Sequence, residues 1–211
     1  MAVVIAVIAI AYSVGVRVEG SEGPQASLEK ARQAFLSGND SAAFKTFEPL
    51  AKSGNARAQF WVADMYEHGY GVKKDGTTEI NWLMRAADEG FTPAEARLGE
   101  IYLAGEETLQ DFPRARKWLT EAGMSGDAIS ERHLGHIYEL GLGVRRDPAE
   151  AYAWYENAIL GGDNSATQLR DDLVSRMSPE QLAKGHSRAR ELREEIKPHP
   201  DGESHDLTHT D

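Results

Sequence analysis

Apolar residues in the central part of the chain fall at helical spacing and predict pairs of short helices. Within 128–140 the apolar positions lie on one side of a helix: Ile129, Leu134, Ile137, Tyr138 and Leu140. Gly141 follows directly, and glycine is favoured there because the residue after a helix commonly adopts a left-handed backbone conformation. The pattern therefore predicts a half-buried helix over 128–140 that ends at Gly141.

A second helix is predicted after a short loop. The run 147–150 reads Asp-Pro-Ala-Glu, which supplies an N-cap residue, a proline in the first turn and an acid three residues after the cap. The same kind of start signal occurs at 92–95 and 178–181. The inward face of the second helix is predicted to consist of Ala151, Trp154, Tyr155 and Ala158.

This two-helix unit recurs every 36 residues. A fixed period of a few tens of residues is typical of stacked repeat proteins. The recurring aspartates are predicted to cap the second helices and the tryptophans to form a ladder in the core. The columns are Gly54, Gly90, Gly126 and Gly162; Tyr66, Tyr102 and Tyr138; Gly69, Gly105 and Gly141; Asp75, Asp111 and Asp147; Trp82, Trp118 and Trp154; and Ala86, Ala122 and Ala158.

The repeated pattern resembles a known family. It reads A-x-x-x-[LV]-[AG]-x-x-Y-x-x-G, then G-V-x-x-D, then W-[LY]-x-x-A, and each unit closes on glycine, which resembles the Sel1-like repeat, a relative of the tetratricopeptide repeat. Complete units cover 55–90, 91–126 and 127–162. A partial unit precedes them and capping helices follow, so the repeat domain is expected over 26–196. The resemblance implies an all-α fold, a right-handed α-solenoid of antiparallel helix pairs.

The resemblance also implies a concave surface, lined mainly by the first helix of each unit, that binds a protein segment or another domain. A solenoid presents a long groove and no deep pocket, which suits binding better than catalysis. If Ala58, Val62 and Tyr66 face the core, helical phase places a neighbouring stripe on the groove. An exposed Trp61 would be its best anchor, although burial against the N-terminal half-unit is an open alternative. The predicted groove residues are Trp61, Asp64, His68, Arg97, Glu100, His133 and His136.

The second unit departs from the pattern in its loop. Glu107 and Thr108 replace the second glycine and the valine found in the other two units, while the length of 36 residues is kept. We expect a changed loop conformation between unaltered helices. An interaction site at 105–110 and harmless drift of the loop are both open interpretations.

Composition and charge exclude several classes of protein. The 211 residues are 41% hydrophobic and 27% charged, which is ordinary for a soluble globular or repeat protein. A formal net charge of −11 argues against nucleic-acid binding, because phosphate recognition needs a clustered positive surface. The chain has no cysteine, so it contains no disulfide and no zinc site built on sulfur.

The first sixteen residues, MAVVIAVIAIAYSVGV, carry no charged side chain, and Arg17 and a polar, turn-prone run follow them. This pattern predicts a membrane anchor or a signal segment over 1–18 and a linker over 19–25. A retained helix, a cleaved export signal and a buried strand are the alternatives. The expected location is therefore a membrane, or the periplasm or cell envelope after cleavage.

Candidate chemistry is sparse. His133 and His136, followed by Glu139, occupy one helix at spacings at which the two histidines could share a face and contact a metal, but no further ligand is identifiable. The segment 197–211, with three histidines among acids, is predicted to be a disordered tail. No GxSxG sequence, Walker-type loop or dinucleotide fingerprint is present. No cofactor, metal or small-molecule substrate is expected.

The sequence therefore predicts a non-catalytic scaffold, tethered to a membrane or exported, that holds a protein partner in its groove. It would serve, for example, as an assembly or regulatory subunit of an envelope complex. The alternatives are a soluble cytoplasmic adaptor and a cell-wall or small-ligand enzyme that uses the His133 and His136 face.

Overall fold

The computed structural model describes residues 23–105 and 109–197. This part of the chain contains no β-strand and folds into ten helices. The first eight helices have 13 residues each. They are α1 Pro24–Leu36, α2 Asp40–Lys52, α3 Ala56–His68, α4 Gly76–Asp88, α5 Thr92–Ala104, α6 Phe112–Met124, α7 Ala128–Leu140, α8 Pro148–Leu160, α9 Ala166–Val174 and α10 Pro179–Glu195.

The helices pack as a linear stack of antiparallel pairs. Each complete unit is a pair, α3 with α4, α5 with α6 and α7 with α8, and each second helix contacts the first helix of the next unit. The first helices α5 and α7 also contact each other, so the first helices lie side by side along one surface. The predicted all-α solenoid is confirmed.

The turns inside the units follow the predicted chemistry. Gly69, Gly105 and Gly141 end the first helices with φ of 80°, 76° and 73°. The recurring aspartates cap the second helices, as when Asp147 Oδ1 accepts from the amide of Ala149 at 3.0 Å. The helix over 128–140 has the predicted ends.

The start of α5 differs from its prediction. The sequence 92–95 predicts Thr92 as the N-cap, but Phe91 occupies that position and makes no side-chain cap hydrogen bond. The equivalent positions in the neighbouring units are Asn55 and Asp127, which do cap their helices. The repeat register therefore overrides the local signal, and Glu95, which that signal would place near the helix surface, is buried.

The three tryptophans of the predicted ladder are buried to different extents. Trp118 and Trp154 are buried, whereas Trp82 is half-buried and carries the guanidinium of Arg85 over its ring at 4.6 Å. The core runs through the stack in two clusters: one spans the N-terminal helices as far as α3, and the other spans the remaining units.

Both ends of the stack differ from the complete units. At the N-terminal end, α1 begins at Pro24, within the segment 19–25 interpreted as a linker, and only three residues separate α1 from α2. At the C-terminal end, α10 begins with a capping box at Ser178 and packs along α8. Gly185 permits this close approach, because a Cβ there would lie 2.8 Å from Tyr152 Cδ1.

The predicted membrane anchor or signal segment over 1–18 lies outside the described residues, as do Glu107, Thr108 and the three histidines of the C-terminal segment. Among the helices of the described ranges, none is long and apolar enough to cross a bilayer.

Candidate partner-binding surface

The predicted groove residues lie on the three first helices α3, α5 and α7. We call the surface that they share the first-helix stripe. His68 and His136 are exposed, while the side chains of Asp64, Arg97, Glu100 and His133 are partly accessible. The stripe is continuous from helix to helix, because Arg97 on α5 contacts Glu67 on α3, and Glu100 on α5 contacts His133 on α7.

Trp61 is the exception, and its prediction as a groove anchor is wrong. Its side chain is only 6% exposed. The indole stacks on Phe47 with ring centroids 5.4 Å apart and meets the edge of Phe35 at 5.1 Å. The partial N-terminal unit supplies both rings, so Trp61 is part of the core that joins this half-unit to the first complete unit.

Arg97 is the centre of the charged part of the stripe. Its guanidinium donates to Glu67 Oε1 on α3 at 2.6 Å and lies 3.7 Å from Glu100 on its own helix. Its Nε is also 3.8 Å from Glu79, a carboxyl on α4 that is 1% exposed. One guanidinium thus lies within ion-pair distance of three carboxyl groups from three helices.

Glu100 extends this charged surface toward α7. Burial raises the pKa of Glu100, and the nearby Arg97 partly opposes that shift. Its Oε1 lies 3.9 Å from Nε2 of His133. Burial, Arg132 and His136 lower the pKa of His133 to about 4, so this imidazole is neutral at neutral pH. The contact between Glu100 and His133 is consequently polar rather than ionic.

The last first helix, α7, presents a different surface. Ile129, His133, His136 and Leu140 share one helix face. The expectation that Ile129 and Leu140 lie on the buried side of the helix is wrong, because both side chains are exposed. The stripe therefore changes along its length from charged on α3 and α5 to apolar and imidazole-bearing on α7.

Glu139 does not join the two histidines. It is buried and accepts a hydrogen bond from Tyr155 Oη at 2.8 Å. Arg176, which follows α9, donates a second hydrogen bond from Nη2 to Glu139 Oε1 at 2.6 Å. Burial and the bond to Glu139 raise the pKa of Tyr155, which stays neutral. The His133, His136 and Glu139 arrangement thus provides no three-ligand site, and Glu139 fastens α7 to α8 and to the segment after α9.

Helical phase within single helices missed the contacts that cross between units. Besides the Arg97 and Glu67 pair, Arg132 Nε donates to Asp163 at 2.6 Å. Arg170 Nη1 donates to Glu156 at 3.0 Å, and Arg188 Nε donates to Glu150 at the same distance. Most of these partners are separated by nearly one repeat, and that spacing was the signal available in the sequence.

Two other clusters were considered as sites. Asp64, Glu67 and His68 bring three potential metal ligands within 4.8 Å of one another. Glu67 is already bound by Arg97, however, and His68 Nδ1 lies 3.2 Å from Asp64 and stacks on Tyr70. The potential ligand atoms of these three side chains therefore already contact one another or Arg97, and we do not assign a metal site to them.

The second is an open cleft of about 550 Å³ between the start of α8 and α10. Three of its four cations contact partners: Lys184 pairs with Glu180 at 2.9 Å, Arg188 with Glu150, and Arg146 with the carbonyl of Glu139. The fourth, Arg145, is exposed. The cleft is a joint between two helices rather than a ligand site.

Comparisons with known proteins agree with this architecture. The family model described as Sel1 repeat matches residues 56–91, 92–127 and 128–163, together just over half of the chain. These three segments are the three complete units of the structure.

Two curated proteins are similar over part of the chain. Chitin synthase regulatory factor 3 of Schizosaccharomyces pombe is 37% identical over 76 residues, which are 36% of this chain and 8% of that protein. ERAD-associated E3 ubiquitin-protein ligase component HRD3A of Arabidopsis thaliana is 32% identical over 87 residues, 41% of this chain and 12% of that protein. The chain thus spans about a tenth of the length of these relatives.

Among solved structures, a Sel1 repeat protein from Oxalobacter formigenes superposes with a TM-score of 0.56 at 33% identity. The match covers 60% of this chain and 95% of that protein.

Proposed function

Because this chain belongs to the Sel1 repeat family, we propose that it is a non-catalytic scaffold that binds a segment of a protein partner along its first-helix stripe. The observation that carries the proposal is the continuity of the stripe across three helices whose surface residues differ while their core columns repeat. A repeated framework with unit-specific surface residues provides the means to recognise a particular sequence.

The matched relatives support an interaction role. One is a regulatory factor of an enzyme and the other a component of a ubiquitin ligase, so both are described by their association with a catalytic partner. The stripe also suits binding, because its accessible side chains are spread over an open surface. The scaffold function for this chain, including a place as an assembly or regulatory subunit, is our proposal.

We also propose that the segment 1–18 tethers the scaffold to a membrane or directs its export. The support is the run of sixteen residues without a charged side chain. Fractionation of cells that carry the tagged chain tests this location. Recovery in the membrane or envelope fraction is expected, whereas a soluble cytoplasmic chain of full mass would identify the alternative adaptor.

The groove is tested by crosslinked pull-down of the full chain and of a stripe variant. The variant combines His68→Ala, Glu100→Ala and His136→Ala, one accessible side chain from each first helix. We expect a defined partner to be captured by the parent chain and lost, by at least about tenfold, with the folded variant.

A matched control carries three substitutions of exposed residues on second helices, Asn81→Ala, Asp88→Ala and Lys117→Ala. The control should keep the partner. If the control loses the partner and the stripe variant keeps it, the binding surface lies on the second helices and our assignment of the groove is wrong. Circular dichroism of all three chains verifies that they are folded.

A further inference from the structure

A buried polar column runs through the joints between units. Its members are Gln59, Glu95 and Glu131, which are separated by the 36-residue period and are each at most 6% exposed. Each lies in the first turns of a first helix, which packs on the second helix of the preceding unit. Burying an amide or carboxyl at such a depth costs free energy for each polar group that has no hydrogen-bond partner.

Gln59 shows which hydrogen bond a donor at this position makes. Its Nε2 donates to the carbonyl of Ala51 on α2 at 3.1 Å. That carbonyl also closes the turn after α2, because it accepts from the amide of Gly54. One period later the carbonyl of Ala87 accepts from Gly90, so the turn is built in the same way. Two periods later the carbonyl of Gly123 accepts from Gly126.

Glu95 and Glu131 stand at the repeat position of Gln59, and each has one oxygen, Oε2, that is buried without a hydrogen-bond partner, as is Oε1 of Gln59. The side chain of Glu131 lies close to Gly123, the residue equivalent to Ala51. A Cβ added to Gly123 would be 3.4 Å from Glu131 Cγ. An ionised carboxylate only accepts hydrogen bonds and cannot bond a carbonyl oxygen, whereas a protonated carboxyl has one donor, as an amide does.

We infer that Glu95 and Glu131 are neutral carboxylic acids in the folded protein and that each donates its proton to the carbonyl of the preceding second helix. The acceptors are Ala87 O for Glu95 and Gly123 O for Glu131. The joints between the complete units are therefore sensitive to pH, while the joint made by Gln59 is not.

The electrostatic surroundings support this inference. Burial and the carboxylate of Glu121 raise the pKa of Glu95 to about 7, against a smaller opposing effect of Lys117 on the same helix as Glu121. The amine of Lys117 lies 3.9 Å from the centroid of the Trp118 ring, where it is already engaged. Burial and the carboxylate of Asp127 raise the pKa of Glu131 to about 8.

The sign of the pH dependence follows from these shifts. Both carboxyls have folded pKa values above their unfolded values, so between about pH 4.5 and 8 the unfolded chain binds fewer protons than the folded one. Stability is then lost as the pH rises through this window. At pH 6, unfolding releases about two protons from these two groups, one from each.

The test is denaturant unfolding of the full chain and of a Glu95→Gln, Glu131→Gln variant from pH 4.5 to 8.5. Glutamine fits this position, since Gln59 already occupies it. We expect the variant to gain stability relative to the parent as the pH rises, and the proton release of unfolding at pH 6 to fall by about two. Glu194→Gln, on an exposed residue of α10, is the matched control and should follow the parent.

A second measurement reports the protonation state directly. The side-chain carboxyl ¹³C resonances that disappear in the Gln variant belong to Glu95 and Glu131, and at pH 6 they should have the chemical shift of protonated carboxyls. The inference is overturned if both resonances are those of carboxylates at pH 6, or if the stability difference between variant and parent does not change with pH.

Discussion

Single residues set the turns of this solenoid, and glycine is required at the ends of the first helices. Gly141 has a φ of 73°, a conformation that costs a residue with a side chain about 1 kcal/mol or more. A Cβ at this position would also lie 3.2 Å from the amide nitrogen of Arg146 and 3.2 Å from the carbonyl oxygen of Val144. Backbone strain and crowding therefore act together.

We predict that Gly141→Val lowers the free energy of unfolding by at least about 1 kcal/mol, measured by denaturant titration. Gly54→Val is the matched comparison, because Gly54 has a positive φ of 94° but open space around its missing Cβ. The loss should be larger at Gly141 than at Gly54. An unchanged midpoint for Gly141→Val would show that the turn after α7 has a different conformation.

Residue-scale sequence signals were reliable where the same chemistry recurred in every unit. The capping aspartates and the glycines after first helices were predicted because each column repeats the same residue type for the same backbone reason. The prediction of Thr92 as an N-cap was wrong. A threonine before a proline has the sequence pattern of a cap when it is considered without the repeat register. The repeat register, in which Phe91 stands at the cap, is the stronger constraint.

At the scale of elements, the separation of the two helices within a unit is set by a column of small residues. Ala63, Gly99 and Gly135 are one period apart and buried, and each faces the second helix of its own unit. A Cβ on Gly99 would lie 2.5 Å from Leu119 Cγ, and a Cβ on Gly135 would lie 2.5 Å from Tyr155 Cδ1. Neither position has room for a methyl group without movement of its neighbour.

We predict that Gly135→Ala destabilises the protein by about 1–3 kcal/mol, because Tyr155 is fully buried and cannot retreat into solvent. The cost should be smaller when Gly135→Ala is made together with Tyr155→Leu, and a double-mutant cycle on the unfolding free energy measures this coupling. Equal costs in the two backgrounds would show that Tyr155 is not the residue that limits the approach of α7 to α8.

The sequence predicted elements better than the contacts between them. Helical phase assigned the stripe to α3, α5 and α7, but it could not show that the partial N-terminal unit would supply two aromatic rings to cover Trp61. It also missed the pairs that join neighbouring units, such as Arg97 with Glu67. These contacts depend on how adjacent units are rotated relative to each other, which a helical wheel of one element does not contain.

At the scale of the whole molecule, the C-terminal helix α10 seals the last unit. It buries Ala189 and Leu192 against the stack, and the amide of Asn157 on α8 donates to the carbonyl of Ala189 at 3.1 Å. The backbone amide of Lys197 reaches the carbonyl of Met124 at the end of α6. The last helices of a repeat array have this task, because an uncovered unit would expose its apolar side.

We predict that a chain ending at residue 177 has a lower melting temperature and self-associates, because the surface of α8 that contacts α10 is uncovered. Calorimetry and light scattering measure the two effects. A chain ending at residue 197 keeps α10 and is the matched control, which should behave as the full chain does. Equal melting temperatures for the two truncated chains would mean that α10 contributes nothing to the stack.

The first helices of the three complete units have the same length. Thirteen helical residues extend for about 20 Å, so every unit presents a strip of the same width. An extended polypeptide covers that distance with about six residues. Under the proposed function, an extended partner segment that lies parallel to one first helix would contact that helix over about six residues, and the number is the same in each complete unit.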